Sequence, residues 1–329
     1  MARSWRPAST ALLLAAAVVV CAGGCGGGGD KPPSFTPVSV TSEGSLYTLE
    51  LGDMKMVVDA AYGARITEFS LRGENALVTR DQSLIYGSTY WPSPQANWCP
   101  GGVDCWPPPE AIDSGPYTGA IDGVNPMVAL TSGAQSIGGI PGSAVVVMKQ
   151  FLAVPESGAV DVTYALANAS PTDSLALAPW QVSRVAVGGL TFFGKGSGPV
   201  TYAPNTAATF TVNEMGGLLW YESGPVAHDS KAFADGTGWI AHVTPERLLF
   251  HLTYQDFQAA DAAPGEAEIE VYTNGSYVEV EAQGPLIRLE PGNMISWTVR
   301  WKVRPVPSGT TVAAGSAQLE TLAAATFAE

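Results

Sequence analysis

The chain has 329 residues, only 14% of them charged, and a formal net charge of −14. An excess of carboxylates argues against nucleic acid or an anionic surface as partner, because a phosphate backbone is bound by clustered Lys and Arg. The length allows one large domain or two small ones and is ample to bury a core.

The first segment reads as export machinery rather than fold. Arg3 and Arg6 precede an apolar run over residues 11–20, which is too short to span a bilayer as a helix and has the form of a signal-peptide core. It ends in Ala22-Gly23-Gly24-Cys25. Small residues before a cysteine resemble the lipobox of bacterial lipoproteins, with Cys25 as the lipidated N-terminus. An ordinary secretory signal is the alternative. Gly26 to Gly29 and the prolines from Pro32 to Pro37 then suit a tether. The expected partition is a signal peptide over 1–24, a tether over 25–43, a main domain over 44–307 and a tail over 308–329. A monomer at the bacterial cell envelope is expected, periplasmic or surface-exposed, touching the membrane only through its lipid.

Beyond the tether, runs rich in Val, Thr and aromatics recur between Gly, Pro, Asn and Asp. Strands are expected over 47–51, 55–60, 66–71, 144–153, 159–166, 176–187, 208–212, 239–243, 248–254 and 295–303. This many strands without interleaved helices predicts an all-β antiparallel sandwich. Only residues 314–327, rich in Ala, have a helical look.

Residues 87–123 form the longest expected irregular segment, which carries Trp91, Trp98 and Trp106. Loops this long tend to be functional or disordered; the aromatic anchors argue for order. An indole face stacks on the apolar face of a sugar ring while neighbouring polar groups bind its hydroxyls. The alternative is that these rings plug the end of the sandwich. Cys99 and Cys105, a close pair in an exported Gly/Pro loop, are expected to form a disulfide. A metal site would need further ligands, and no His neighbours them.

Glu266, Glu268 and Glu270 alternate with Ala267, Ile269 and Val271, and beyond Asn274-Gly275 Tyr277, Glu279 and Glu281 alternate with Val278 and Val280. Asn-Gly between alternating runs signals a hairpin. A two-residue loop would set Val271 against Val278, Glu270 against Glu279 and Glu268 against Glu281. Opposed like charges destabilise a sheet, so the face needs a neighbouring cation, a bound metal ion, a shared proton or open solvent. The last strand offers cations: Arg300 and Lys302 are expected beside the carboxylates.

The block YVEVEAQGPLIRLEPGNMISWTVRWKV resembles the C-terminal block of galactose-mutarotase-like proteins. Aldose 1-epimerases there carry Leu-Glu-x-Gln followed by Leu-x-Pro-Gly; this chain has Val280-Glu281-Ala282-Gln283 and Leu289-Glu290-Pro291-Gly292. Gly63-Ala64-Arg65-Ile66 is similar to the opening strands of that superfamily. WPSPQANW, WPPPEAIDSGPY, APWQVSRV and KAFADGTGWIAHV look closer still to a branch of secreted mutarotase-like domains. The resemblance spans roughly residues 45–306. It implies a β-supersandwich with a sugar site on one sheet face, with Glu281 at the position of the general base. It also implies a His as acid, yet the matching segment, residues 178–184, has none. His228, His242 and His251 lie elsewhere, the last two expected on opposite faces of their hairpin. The expected ligand is a carbohydrate, held by Trp91, Gln95, Trp98, Trp106, Trp180, Arg184 and Arg300, without metal or cofactor. Three activities fit: sugar epimerisation through Glu281 and an unidentified acid, non-catalytic glycan binding or scaffolding, or polysaccharide cleavage with Glu268 or Glu279 as second carboxylate.

Overall fold

Strict alternation of buried and half-buried residues along Val145–Val154 and Ala159–Asn168 marks strands with one face on a core and one toward solvent. In a computed structural model, which describes residues 37–80, 85–103 and 105–328, such strands assemble into two antiparallel sheets, one of twelve and one of ten strands among the described residues. The expected signal peptide, Cys25 and most of the tether lie outside the described residues. Val38–Glu43, within the expected tether, pairs with Leu46–Leu51 as an edge strand.

The core lies between the sheets. Met56, Val58, Phe69, Tyr90, Val278 and Val280 from the first sheet meet Val128, Phe151, Val162, Leu252, Val299 and Trp301 from the second. Phe69 reaches across to Trp301 and Phe250 with ring centroids 5.3 and 6.0 Å apart, and Tyr90 stacks on Tyr164 at 4.8 Å. The Ala-rich tail forms the expected helix, Ala317–Ala328. Leu319, Ala323 and Thr326 recur at helical spacing and are buried. The first two pack with Phe192, Trp220 and Leu249 on the outer side of the second sheet. The helix thereby covers the outer side of the second sheet around these residues, while the strands Val145–Val154 and Ala159–Asn168 keep one face toward solvent.

Two expectations are corrected. Residues 208–212 form no strand; Phe210 is buried through a turn in which its N–H donates to Ala207 O at 2.9 Å. The supposed loop over 87–123 contains the strand Ser88–Ser93, near the middle of the first sheet. A proline inside a run normally argues against a central strand. Here Pro92 stands directly opposite Pro179, in a pair position where neither residue is asked for an N–H by the other.

Candidate functional site

Five neighbouring strands of the first sheet build the site: Ser88–Ser93, Leu175–Ala186, Tyr277–Gln283, Ile269–Thr273 and Ser230–Ala234. Directly opposed residues share a face. One row runs Val182, Glu281, Glu270, Phe233; the next runs Arg184, Glu279, Tyr272, Lys231; a third joins Trp91, Trp180 and Gln283. All stand on the outer face, while Val278, Val280 and Val271 alternate into the core.

The hairpin register differs from the expected one by two residues. Thr273 pairs with Val278, Tyr272 with Glu279 and Glu270 with Glu281. A type I′ turn needs positive φ at both central residues, and Gly275 supplies it at +88° while Asn274 does not. Instead Ser276 N–H donates to Asn274 Oδ1 at 2.9 Å, and Thr273 Oγ1 donates to Tyr277 O at 2.6 Å while accepting from Gly275 N–H at 3.0 Å. Side-chain bonds of this kind lengthen the loop. A shift of two keeps every side chain on its expected face, so the carboxylates stay together.

The carboxylate face is not a solvated surface: Glu270 and Glu281 are each 0% exposed. Their compensator is Lys231. Its Nζ lies 3.2 Å from Glu281 Oε2, contacts Glu270 Oε2, and sits 4.7 Å from the Trp180 ring centroid. Glu281 Oε2 also accepts from Trp180 Nε1 at 2.9 Å, and Glu270 Oε1 accepts from Ala267 N–H at 2.9 Å and Gln283 Nε2 at 2.8 Å. Burial raises both carboxyl pKa values and Lys231 counters this, while Glu266 raises Glu270 further and Glu270 and Glu279 raise Glu281. Burial works against the Lys231 charge, but Glu270, Glu281 and Glu266 outweigh it and hold the ammonium above its ordinary value. An ammonium thus stands where a metal ion would be needed. Among the described residues no three His, Cys, Asp or Glu side chains are arranged to hold a metal.

Arg300 and Lys302 do not approach this cluster, which corrects the expected contact. Their strand, Met294–Pro305, lies in the other sheet between Leu248–Tyr254 and Ala159–Asn168. Arg300 forks onto Asp161 at 2.8 and 2.9 Å, and Lys302 Nζ donates to Thr326 O in the C-terminal helix at 2.8 Å. Glu279 and Glu268 are also committed. Arg184 Nε donates to Glu279 Oε1 at 2.9 Å, and Glu268 accepts from Gly236 and Gly238 N–H at 2.9 and 3.0 Å. Burial pushes the Glu268 carboxyl up to about 7.

Six of the seven expected binding residues do converge, Arg300 being the exception. Trp91, Trp98 and Trp180 are buried in one cluster with Cys105 and Val182, while Trp106 is 58% exposed and leans edge-on against Trp91 at 5.7 Å. Cys99 and Cys105 form the expected disulfide. Gln95 Nε2 donates to Cys105 O at 2.8 Å and Gln95 N–H to Glu266 Oε1 at 2.8 Å, fastening this loop to the carboxylate strands. Two clefts flank Trp106. One, of about 540 Å³, is lined by Trp91, Gln95, Trp180, Asp229, Lys231 and Glu279, with Tyr272 and Tyr277 at its wall. The other, of about 700 Å³, is lined by Tyr62, Arg65, Glu110, Asp113 and Arg184, and shares Ile85, Trp91 and Trp106 with the first. Glu281 lines neither; it lies beneath Trp180 and Lys231. No histidine lines either cleft. His242 is wholly buried beside Thr191 Oγ1 at 2.9 Å, His251 stacks on Trp239 at 5.5 Å, and burial lowers both to about 3. His228 Nε2 is bonded to Asn205 O at 2.5 Å.

Lys231, Asp229, Tyr272, Tyr277 and Asp113 were not singled out by sequence reasoning. The alternation Ser230-Lys231-Ala232-Phe233-Ala234 was a usable strand signal. It is short, however, and only pairing with Ile269–Thr273 brings the lysine to the glutamates.

No protein-family profile and no curated protein sequence matches the chain. Solved structures do. A galactose mutarotase-like protein from Lactobacillus casei superposes with a TM-score of 0.57 at 12% identity, covering 79% of this chain and 100% of that one. A candidate aldose 1-epimerase from Escherichia coli K12 superposes at 0.54 and 13% identity, covering 81% and 100%. A TPR-domain containing protein from Parabacteroides distasonis gives 0.53 at 14% identity, covering 82% of this chain and 49% of that one. The protein therefore has the galactose mutarotase-like fold.

Proposed function

We propose that the protein is a carbohydrate-binding, mutarotase-like protein of the cell envelope, anchored through Cys25, whose site recognises sugar without epimerising it. The observation that carries this reading is the exposed Trp106 indole between two polar-walled clefts of roughly sugar-ring size or larger. Aromatic faces with a few convergent polar groups are what sugar sites are made of. The likeness to mutarotase-like structures supports a carbohydrate ligand in general. The non-catalytic part rests on Glu281. A general base must come within about 3 Å of the proton it removes, and this carboxylate is covered by Trp180 and Lys231.

Epimerisation is the second reading, favoured by the raised pKa of Glu281, which brings a carboxyl toward the range a base needs. It requires Lys231 and Trp180 to move aside. Titrating the full chain with neutral and acidic mono- and disaccharides, followed by indole fluorescence, tests the binding reading. Saturable quenching by at least one sugar, lost in Trp106→Ala, is expected; no response to any sugar would overturn it.

A further inference from the structure

The second cleft carries chemistry that a neutral sugar does not call for. Two guanidinium groups, Arg65 and Arg184, line it together. Arg184 is 2% exposed, and its Nη1 has no hydrogen-bond partner among the described residues. Its Nε is held by Glu279, and its Cζ lies 5.3 Å from the Trp91 ring centroid, so the guanidinium plane is fixed. Arg65 is fixed as well, between the Tyr62 and Tyr86 rings at 5.0 and 4.9 Å, with Nη2 donating to Asp113 Oδ1 at 3.1 Å. Burial lowers the Arg65 pKa; Asp113 opposes that, and the like charge of Arg184 adds to it. Each guanidinium has one carboxylate partner, Asp113 for Arg65 and Glu279 for Arg184, and Asp113 Oδ1 also accepts from Thr89 Oγ1 at 2.9 Å and Trp91 Nε1 at 2.7 Å, so the site offers an open donor rather than a net positive charge. Glu110, the other acid of the cleft, is exposed. Arg65 Nη1 donates to Tyr86 O at 3.2 Å, so the donor left for a carboxylate oxygen is Arg184 Nη1, held rigidly beside the Trp91 wall with the Arg65 charge nearby.

We propose that the cleft lined by Arg65 and Arg184 seats the carboxylate of an acidic sugar residue, and that the ligand spans Trp106 so that its neighbouring ring lies in the Lys231 cleft. The preferred ligand class is a uronate-containing oligosaccharide of at least two rings. This deepens the carbohydrate reading and rests on it. The two clefts share Ile85, Trp91 and Trp106, so one disaccharide contacts both without crossing a gap.

The test is calorimetric titration of the full chain with digalacturonate, the matching neutral galactobiose, and galactose 6-phosphate. Digalacturonate is expected to bind about tenfold more tightly than galactobiose at low ionic strength, with the advantage shrinking as salt screens it. Arg184→Gln should collapse that ratio. Glu110→Gln, an exposed change that does not touch the fold, should enlarge it by about twofold, as removal of a nearby like charge from an acidic ligand does. Equal affinity for the neutral and acidic disaccharides overturns this inference and leaves carbohydrate binding standing. Tightest binding by the sugar phosphate overturns the carboxylate assignment. Binding of none of them overturns this inference and removes the support for the reading beneath it. An unchanged ratio in Glu110→Gln counts against it even if Arg184→Gln fails to fold.

Discussion

Glu270 stands directly opposite Glu281 in the adjacent strand, neither is exposed, and the ammonium of Lys231 reaches both. Opposed buried carboxylates are tolerable only while that cation or a shared proton is present. Lys231→Met should therefore destabilise the protein by about 3–5 kcal/mol at pH 8. At pH 5 the loss should be much smaller, because the orphaned carboxyls then take up protons at little cost. Adding Glu281→Gln should recover part of the loss at pH 8. Urea unfolding at both pH values checks this; an equal loss at pH 5 and pH 8 would show that Lys231 acts by packing alone.

Wild-type stability should fall as pH rises from about 5 to about 7. Glu268 is raised to about 7, and Glu270 and Glu281 are raised by burial. Each holds in the folded state a proton that the unfolded chain releases near its ordinary value of about 4.3. His242 and His251, lowered by burial, release their protons on folding and give the opposite slope, but the three carboxyls outnumber them, so the unfolded state binds fewer protons across this window and stability falls with pH. Thermal melts at half-unit steps test it. A melting temperature that climbs between pH 5 and 7 would contradict the buried-carboxylate account.

The four clustered tryptophans should separate by role. Trp106→Ala should leave stability within about 0.5 kcal/mol, as changes at exposed positions do, and should weaken sugar binding severalfold or more. Trp180→Ala removes a fully buried indole and should cost about 3–5 kcal/mol. Denaturant curves run beside ligand titrations distinguish the two. A large stability loss in Trp106→Ala would make that ring a structural plug.

Lys149 is a second buried cation. Its Nζ donates to Gly63 O at 2.6 Å among the rings of Tyr90, Tyr117 and Tyr164, and burial lowers it to about 7. Below that pH the folded state must carry the charge inside, at a cost that disappears as pH rises toward the unfolded value near 10.4. Lys149→Met should thus gain on wild type most at pH 6, with the gain shrinking between pH 7 and 10. A difference independent of pH would mean that Lys149 binds its proton equally in the folded and unfolded states, with its pKa not lowered by burial.

The fold class was legible because strand alternation and turn residues are local signals, and the hairpin's carboxylate face was legible because parity survives a two-residue shift in register. The partner of that face was not. Arg300 and Lys302 alternate as convincingly as Lys231 does, and nothing local says which sheet a strand joins. The Ser88–Ser93 strand was hidden by Pro92, whose tolerance depends on Pro179 facing it from another strand. Trp91, Trp98, Trp106 and Trp180 were found by residue type. Which of them is exposed was set by the disulfide loop and its tie from Gln95 to Glu266.

The most direct test of the central claim is exchange NMR of free aldoses and uronate disaccharides with the full chain, wild type beside Glu281→Gln. The account predicts saturation transfer from aromatic protons to at least one ligand, with anomer interconversion no faster than in buffer. Accelerated interconversion that is lost in Glu281→Gln would contradict it and make the protein an epimerase; no transfer to any ligand would contradict carbohydrate recognition itself.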